Sequence, residues 1–318
     1  MKNIEFFSLD EKFELAQNIA SKFEKELIIP EIAHFSDSEI RVELSEGIDV
    51  SRKTAFIIYS TVDPVNRSYM KLFFLADLLK RKGITKVHAI IPYIGYSRQC
   101  GCKKGEGIGH AKIIAQLIEC SGIDSVVACE IHDRTLESFF CIPFKNILLR
   151  RFIANHIAKT FPDLSDCFLV APDKGARSRV EDIAKLLSIE TMFFSKKRFS
   201  DHKVDIRSSS DFEFGSLPER SSGVNEEPRR AIIIDDIINT GGTALKVANK
   251  LKERGVEKIY AYFIHPVLSG NVIENLEKSP IDTVFVSDTV ELQENEKIDK
   301  IKVFDVSDVL FKYLKDFI

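Results

Sequence analysis

No stretch of the chain approaches the roughly 20 consecutive apolar residues that a bilayer crossing requires. The opening MKNIEFFSLDEKFELAQ has no basic start running into an apolar segment. These absences argue against a membrane span and a secretory leader, and they make the cytoplasm the expected compartment. An excess of one charge sign is also missing: 45 Lys and Arg against 48 Asp and Glu leave a formal net charge of −3. No global field draws such a protein to nucleic acid or to a lipid surface, so any anion site must be built locally. The six cysteines, Cys100, Cys102, Cys120, Cys129, Cys141 and Cys167, form none of the paired CxxC sets that hold structural zinc. Cys120, Cys129 and Cys141 lie in apolar stretches and read as small core residues, while Cys100 and Cys102 read as reduced loop thiols.

What is present is an alternation. Short apolar runs suited to buried parallel strands occur at Ala55–Tyr59, Val87–Tyr93, Val126–Ile131, Phe168–Ala171, Ala231–Ile234, Ile259–Ile264 and Val284–Val286. Between them apolar residues recur three or four apart, as on amphipathic helices. Ser8 with Glu11 reads as a capping box, and Asn66 as the cap of a helix whose apolar face carries Met70, Phe73, Phe74 and Leu78. Strands alternating with helices argue for α/β architecture, with mainly parallel sheets covered on both faces.

The 318 residues suffice for two domains of roughly 150 residues each. A faint repeat supports two related halves: Leu79-Lys-Arg-Lys-Gly-Ile-Thr-Lys-Val-His-Ala89 reads like Leu251-Lys-Glu-Arg-Gly-Val-Glu-Lys-Ile-Tyr-Ala261. In both, a glycine (Gly83, Gly255) falls where the chain leaves a helix at positive φ. The expected domains are 1–146 and 147–300, with a strand and helix at 301–318 packing back on the first. The polar run Ser208–Pro228 reads as a long loop or flap.

The strongest local signal is Ala231-Ile-Ile-Ile-Asp-Asp-Ile-Ile-Asn-Thr-Gly-Gly-Thr243. An apolar strand is expected to end in two carboxylates, followed by a turn and the helix Ala244–Arg254. Gly-Gly lets backbone N–H groups approach a phosphate, a helix N-terminus adds partial positive charge, and Thr240 and Thr243 add hydroxyl donors. Asp235 and Asp236 then stand beside the phosphate, placed to accept from sugar hydroxyls. Two adjacent Asp against a core are costly unless they bind something.

This stretch resembles the phosphoribosyl-diphosphate motif of the phosphoribosyltransferase fold. Further motifs narrow the resemblance to the ribose-phosphate pyrophosphokinases. Phe35-Ser-Asp-Ser-Glu39 resembles their Phe-x-(Asp/Asn)-Gly-Glu. Ser60-Thr-Val-Asp-Pro-Val-Asn66 with Met70 is similar to their Ser-Thr-x-x-Pro-Val-Asn-x-x-x-Met, and Pro92-Tyr-Ile-Gly-Tyr-Ser-Arg-Gln99 to their Pro-Tyr-x-x-Tyr-x-Arg-Gln. Glu130-Ile-His132, Ala171-Pro-Asp173 and Lys196-Lys-Arg198 follow in the family's order.

The resemblance implies two tandem phosphoribosyltransferase-like domains, an ATP side and a ribose 5-phosphate side. It implies transfer of the β,γ-diphosphate of ATP to the 1-hydroxyl of ribose 5-phosphate, giving 5-phosphoribosyl 1-diphosphate and AMP for nucleotide biosynthesis. Asp235, Asp236, Asn239, Thr240, Gly241, Gly242 and Thr243 would hold ribose 5-phosphate. Phe35, Asp37, Glu39, Arg98 and Gln99 would contact ATP, and Lys196 and Arg198 would be catalytic. His132 and Asp173 would hold Mg²⁺, although that ion prefers oxygen ligands to imidazole. In the family the Phe35-type loop completes a neighbouring subunit's site, which implies a homo-oligomer, a dimer or hexamer.

Departures from the pattern are Cys100-Gly-Cys-Lys-Lys104 in place of an acidic–basic segment, Ser38 for Gly, Glu130 for Asp, Asp133-Arg134 for small residues, and Asn239 for Asp. They keep two alternatives open: a catalytically weak homologue that regulates a true synthetase, and a base phosphoribosyltransferase.

Overall fold

The structure is a computed structural model that describes residues 3–101, 109–196, 212–214 and 230–317. It divides into two compact units. One comprises Met1–Leu148, Ser287–Leu292 and Asp305–Ile318, and the other Leu149–Val286 and Gln293–Phe304.

The first unit runs β1 (Ile4–Phe7), α1 (Glu14–Lys22), β2 (Leu27–Ile28), β3 (Glu31–His34), β4 (Ile40–Glu43), β5 (Thr54–Ile58), α2 (Val65–Arg81), β6 (Lys86–Ile90), α3 (Ala111–Cys120), β7 (Ser125–Cys129) and β8 (Phe144–Ile147). A parallel six-stranded sheet has the order β2-β1-β5-β6-β7-β8. β3 and β4 form a separate antiparallel hairpin.

The second unit runs α4 (Arg150–Thr160), β9 (Cys167–Ala171), α5 (Arg177–Leu187), β10 (Glu190–Lys196), β11 (Phe212–Phe214), β12 (Arg230–Ile238), α6 (Gly242–Glu253), β13 (Lys258–Pro266), α7 (Val272–Glu277), β14 (Thr283–Ser287) and β15 (Ile301–Phe304). Its seven-stranded sheet has the order β11-β10-β9-β12-β13-β14-β15, with β11 antiparallel to β10. The closing helix α8 (Ser307–Phe317) belongs to the first unit. There Lys22 Nζ donates to Asp308 Oδ1 at 2.7 Å and Phe311 meets the ring of Phe23 edge-on.

Continuous apolar runs explain the central strands. Every residue of β7 and of β9 is buried, as a parallel strand covered on both faces requires. The repeat also has structural content. Gly83 and Gly255 both sit at positive φ, 85° and 84°. After each helix the same bonds recur: Gly83 N to Lys80 O and Ile84 N to Leu79 O, then Gly255 N to Lys252 O and Val256 N to Leu251 O. The next strand is pinned alike. Asp124 accepts from Val87 N and Lys86 Nζ, and Asp282 accepts from Ile259 N and Lys258 Nζ. The two halves thus reuse one helix–glycine–strand joint and one carboxylate clip.

Several local expectations are corrected. Ser8 and Glu11 form no capping box, because α1 begins only at Glu14; Ser8 Oγ instead closes a turn with the N–H and carbonyl of Asp10. Asn66 lies inside α2 rather than capping it, and its Oδ1 accepts from the Tyr96 hydroxyl at 2.5 Å. The core stripe of α2 is Tyr69, Leu72, Leu75, Ala76 and Leu79, while Met70 and Phe74 remain 42% and 38% exposed. Two apolar stripes compete on this helix, and the longer one faces the sheet. Cys129 is buried as expected, but Cys120 and Cys141 are exposed. Within the run read as a flap, Phe212–Phe214 adds an edge strand; its remaining residues lie outside those described.

Candidate active site

In the second unit β12 does not stop at Ile234. It continues through Asp235 and Asp236 to Ile238 because β13 accompanies it, Asp235 opposite Phe263 and Ile238 opposite Pro266. On its other side β9 pairs only as far as Ile233. The two carboxylates therefore sit inside the strand, on an edge left open by the end of β9. Asn239 then ties the turn to the segment after β13, its carbonyl accepting from Ser269 N at 3.1 Å. Gly241 takes the left-handed conformation at φ 71°, and a Cβ there would meet Val272 Cγ2 at 3.1 Å. Only glycine makes this turn without strain. α6 starts at Gly242 with no side-chain cap, so its N-terminal N–H groups and positive dipole end face the turn at Thr240, and Thr243 lies in the first turn of the helix.

Consecutive strand residues point to opposite faces, yet one side chain reaches both acids. Arg179, from α5, places its two terminal nitrogens 3.5 Å from Asp235 Oδ1 and 3.7 Å from Asp236 Oδ2. Arg179 and Asp236 are buried, 6% and 5% exposed. Burial and the neighbouring Asp236 push the Asp235 carboxyl well above the usual carboxylate range, against the downward pull of Arg179. Sequence reasoning missed Arg179. Its signal was present: it lies on the stripe of Val180, Ile183 and Ala184, and an arginine on an apolar helix face demands a buried partner.

Asp173 follows β9 and adds negative charge near Asp235. Its Oδ1 accepts from Gly175 N and Ala176 N at 2.9 and 3.2 Å, fixing the entry to α5. Lys196 ends β10, which lies beside β9, and is paired through its backbone opposite Phe212. Arg198 lies outside the described residues.

In the first unit Phe35, Asp37 and Glu39 occupy the tip of the β3–β4 hairpin. Phe35 is 49% exposed, the Arg41 guanidinium lies over its ring at 5.9 Å, and Asp37 Oδ1 accepts from Glu39 N at 3.1 Å. Ser38 takes positive φ, 75°, so a conformation suited to glycine is held by serine. Ser38→Gly should raise the unfolding free energy by about 0.5–1 kcal/mol, the relief of left-handed strain less glycine's entropic cost. A denaturant midpoint that stays put or falls would show that the serine is not strained.

Arg98 and Gln99 lie exposed on a short 3₁₀ turn beyond β6, with Gln99 Oε1 2.9 Å from His110 Nδ1. The loop under them is locked by close approach: Gly95 N donates to Thr61 Oγ1 at 2.7 Å, and a Cβ on Gly95 would fall 2.7 Å from Thr61 O. His132 is exposed just beyond β7, while Glu130 is 2% exposed. Asp133 accepts from Thr135 N at 2.8 Å, so its carboxylate caps the following turn. Residues Cys102–Ile108 lie outside those described.

Among the described residues no three His, Cys, Asp or Glu side chains converge as a metal cluster. Mg²⁺ needs none, since it keeps several waters and takes one or two carboxylates together with substrate phosphates. The donor chemistry of Asp173, a carboxylate at a strand's carboxyl end, fits that demand. No helix among the described residues is long and apolar enough to cross a membrane.

Comparison with known proteins agrees with this geometry. Residues 4–122 match the model of the N-terminal domain of ribose phosphate pyrophosphokinase, and residues 224–316 match the phosphoribosyl synthetase-associated domain. The chain is 34% identical over 317 residues to a ribose-phosphate pyrophosphokinase of Haemophilus influenzae, covering 99% of this chain and 96% of that one. It is 32% identical over 307 residues to that of Listeria ivanovii, covering 96% and 92%. A crystal structure of phosphoribosylpyrophosphate synthetase from Mycobacterium smegmatis matches with a TM-score of 0.86 over 99% of this chain and 98% of that one, at 23% identity. That likeness bears out the expected fold, two phosphoribosyltransferase-like domains with mainly parallel sheets. Motif order, sheet topology and near-complete alignment agree, and the chain belongs to the ribose-phosphate pyrophosphokinase family.

Proposed function

We propose that the residues placed above carry the family's reaction: transfer of the β,γ-diphosphate of ATP to the 1-hydroxyl of ribose 5-phosphate, for nucleotide biosynthesis. The 1-oxygen attacks the β-phosphorus in line. The bond from that phosphorus to the α,β-bridging oxygen breaks, AMP departs with the electron pair, and the hydroxyl proton is released. Such chemistry depends on positioning and charge neutralisation rather than covalent catalysis.

The turn Asn239–Thr243 holds the 5-phosphate on the α6 N-terminus, and Asp235 and Asp236 accept from the 2- and 3-hydroxyls. Phe35 stacks on adenine, Asp37 and Glu39 contact the nucleoside, and Arg98 and Gln99 take the phosphates, Arg98 as a fork. Lys196 and Arg198 neutralise charge on the migrating diphosphate. Asp173 and His132 hold Mg²⁺, which when bound shields the diphosphate oxygens and makes the β-phosphorus more electrophilic. The chain acts in the cytoplasm as a homo-oligomer, a dimer or hexamer, in which the exposed Phe35 hairpin completes a neighbour's site.

The observation that carries this reading is the pair of acids on the open edge of β12, the strand that leads through Asn239 and Thr240 into a left-handed glycine and an uncapped helix start. Purified protein given ATP, Mg²⁺ and ribose 5-phosphate should release AMP and 5-phosphoribosyl 1-diphosphate one for one, and only when all three are present. Bound ligands without AMP, or pyrophosphate release that requires a nucleobase, would overturn it.

A further inference from the structure

The twin acids present a physical problem. Two carboxylates side by side, Asp236 buried and Asp235 partly so, resist double ionisation, and one that takes a proton becomes a hydroxyl donor of altered geometry. A sugar diol is gripped best by two fixed, ionised acceptors. Among the described residues, charged groups that act on Asp235 include Asp236, Asp173 and Arg179. Arg179 is the cation of that set, and it comes from an element, α5, that no motif includes.

The geometry points to Arg179 as a positioning residue for the ribose site: its two terminal nitrogens hold Asp235 and Asp236 as one rigid pair facing the sugar diol. This rests on the reading of the β12 turn given above. The planar fork is what the task needs, because one nitrogen serves each acid. A lysine ammonium keeps the charge but offers a single point. Arg179 touches carboxylates and not the reacting atoms, so its effect belongs in sugar-phosphate affinity rather than in the chemical step.

The test is calorimetric titration of ribose 5-phosphate into the full chain, with Mg²⁺ and α,β-methylene-ATP present. The proteins are wild type, R179K, R179M, D235N/D236N, and R179M with D235N/D236N. R179M should weaken binding about 30-fold or more, the scale for losing a charged hydrogen-bonding partner, and R179K about tenfold. In the D235N/D236N background R179M should add less than about twofold, because the two ionised acceptors that Arg179 positions for the diol are no longer there. The maximal rate of R179K at saturating ribose 5-phosphate should stay within about threefold of wild type.

Equal affinity for R179K, R179M and wild type would overturn the inference, as would an undiminished R179M penalty in the D235N/D236N background. Should R179M fail to fold, R179K decides alone: a raised KM with preserved kcat supports the role, and loss of kcat without change in KM refutes it. Failure of wild type to bind ribose 5-phosphate would instead remove the parent reading.

Discussion

Lys196→Ala lowers kcat by about 10²–10³-fold, the cost of removing one preorganised group that stabilises developing transition-state charge, while the KM for ATP moves by less than about threefold. β10 is parallel to β9, and β9 leads directly into Asp173. Lys196 is the last residue of β10, so the sheet delivers it to the carboxyl edge at which open parallel sheets bind their ligands. In the proposed reaction a cation there would meet little unshielded charge in free ATP and more as the diphosphate parts from AMP. Interaction present only in the transition state appears in kcat. A steady-state comparison of Lys196→Ala with Lys196→Arg checks this. Equal loss in kcat and in ATP affinity, or no loss, would remove Lys196 from the chemical step.

The second large effect is expected at the acids. Replacing Asp235 and Asp236 together by Asn should raise the KM for ribose 5-phosphate by about 10²-fold or more, since two charge-assisted hydrogen bonds are weakened together. The KM for ATP should stay within about threefold, because no ATP contact is assigned to β12. Asn preserves size, and its carbonyl can still accept from Arg179, so the variant leaves no unpaired buried cation. Initial rates with each substrate varied in turn separate the two effects. An unchanged KM for ribose 5-phosphate would displace the sugar from this edge.

The residues that were legible in sequence were those whose physics is local or periodic. The runs Val126–Ile131 and Phe168–Ala171 announced buried strands because a parallel strand covered on both faces has no polar positions to confuse the pattern. Gly83, Gly255 and Gly241 announced backbone turns, and all three sit at positive φ. A sequence pattern misleads where a neighbouring element decides the outcome. β12 outran its apolar run because β13 keeps pairing past Asp235, and no single-strand pattern shows that. On α2 the apolar residues Met70 and Phe74 suggest a core face, but the adjacent stripe of Tyr69, Leu72 and Leu79 is the buried one. Ser8 looked like a cap because its spacing to Glu11 is right, yet the hydroxyl found the backbone of Asp10 first. Arg179 escaped because its partner Asp235 lies 56 residues away in sequence and Asp236 one further. A motif search reads along the chain, whereas a buried cation is explained only across it.

The central claim is that the strand edge and turn from Asp235 to Thr243 seat a phosphorylated pentose. Equilibrium dialysis of labelled ribose 5-phosphate, at fixed Mg²⁺ and α,β-methylene-ATP, tests this without turnover. One equivalent should be retained per chain, displaced by unlabelled ribose 5-phosphate but not by free ribose, and retention should be lost in D235N/D236N. Saturable retention that survives in that variant, or that free ribose displaces equally well, would contradict the account.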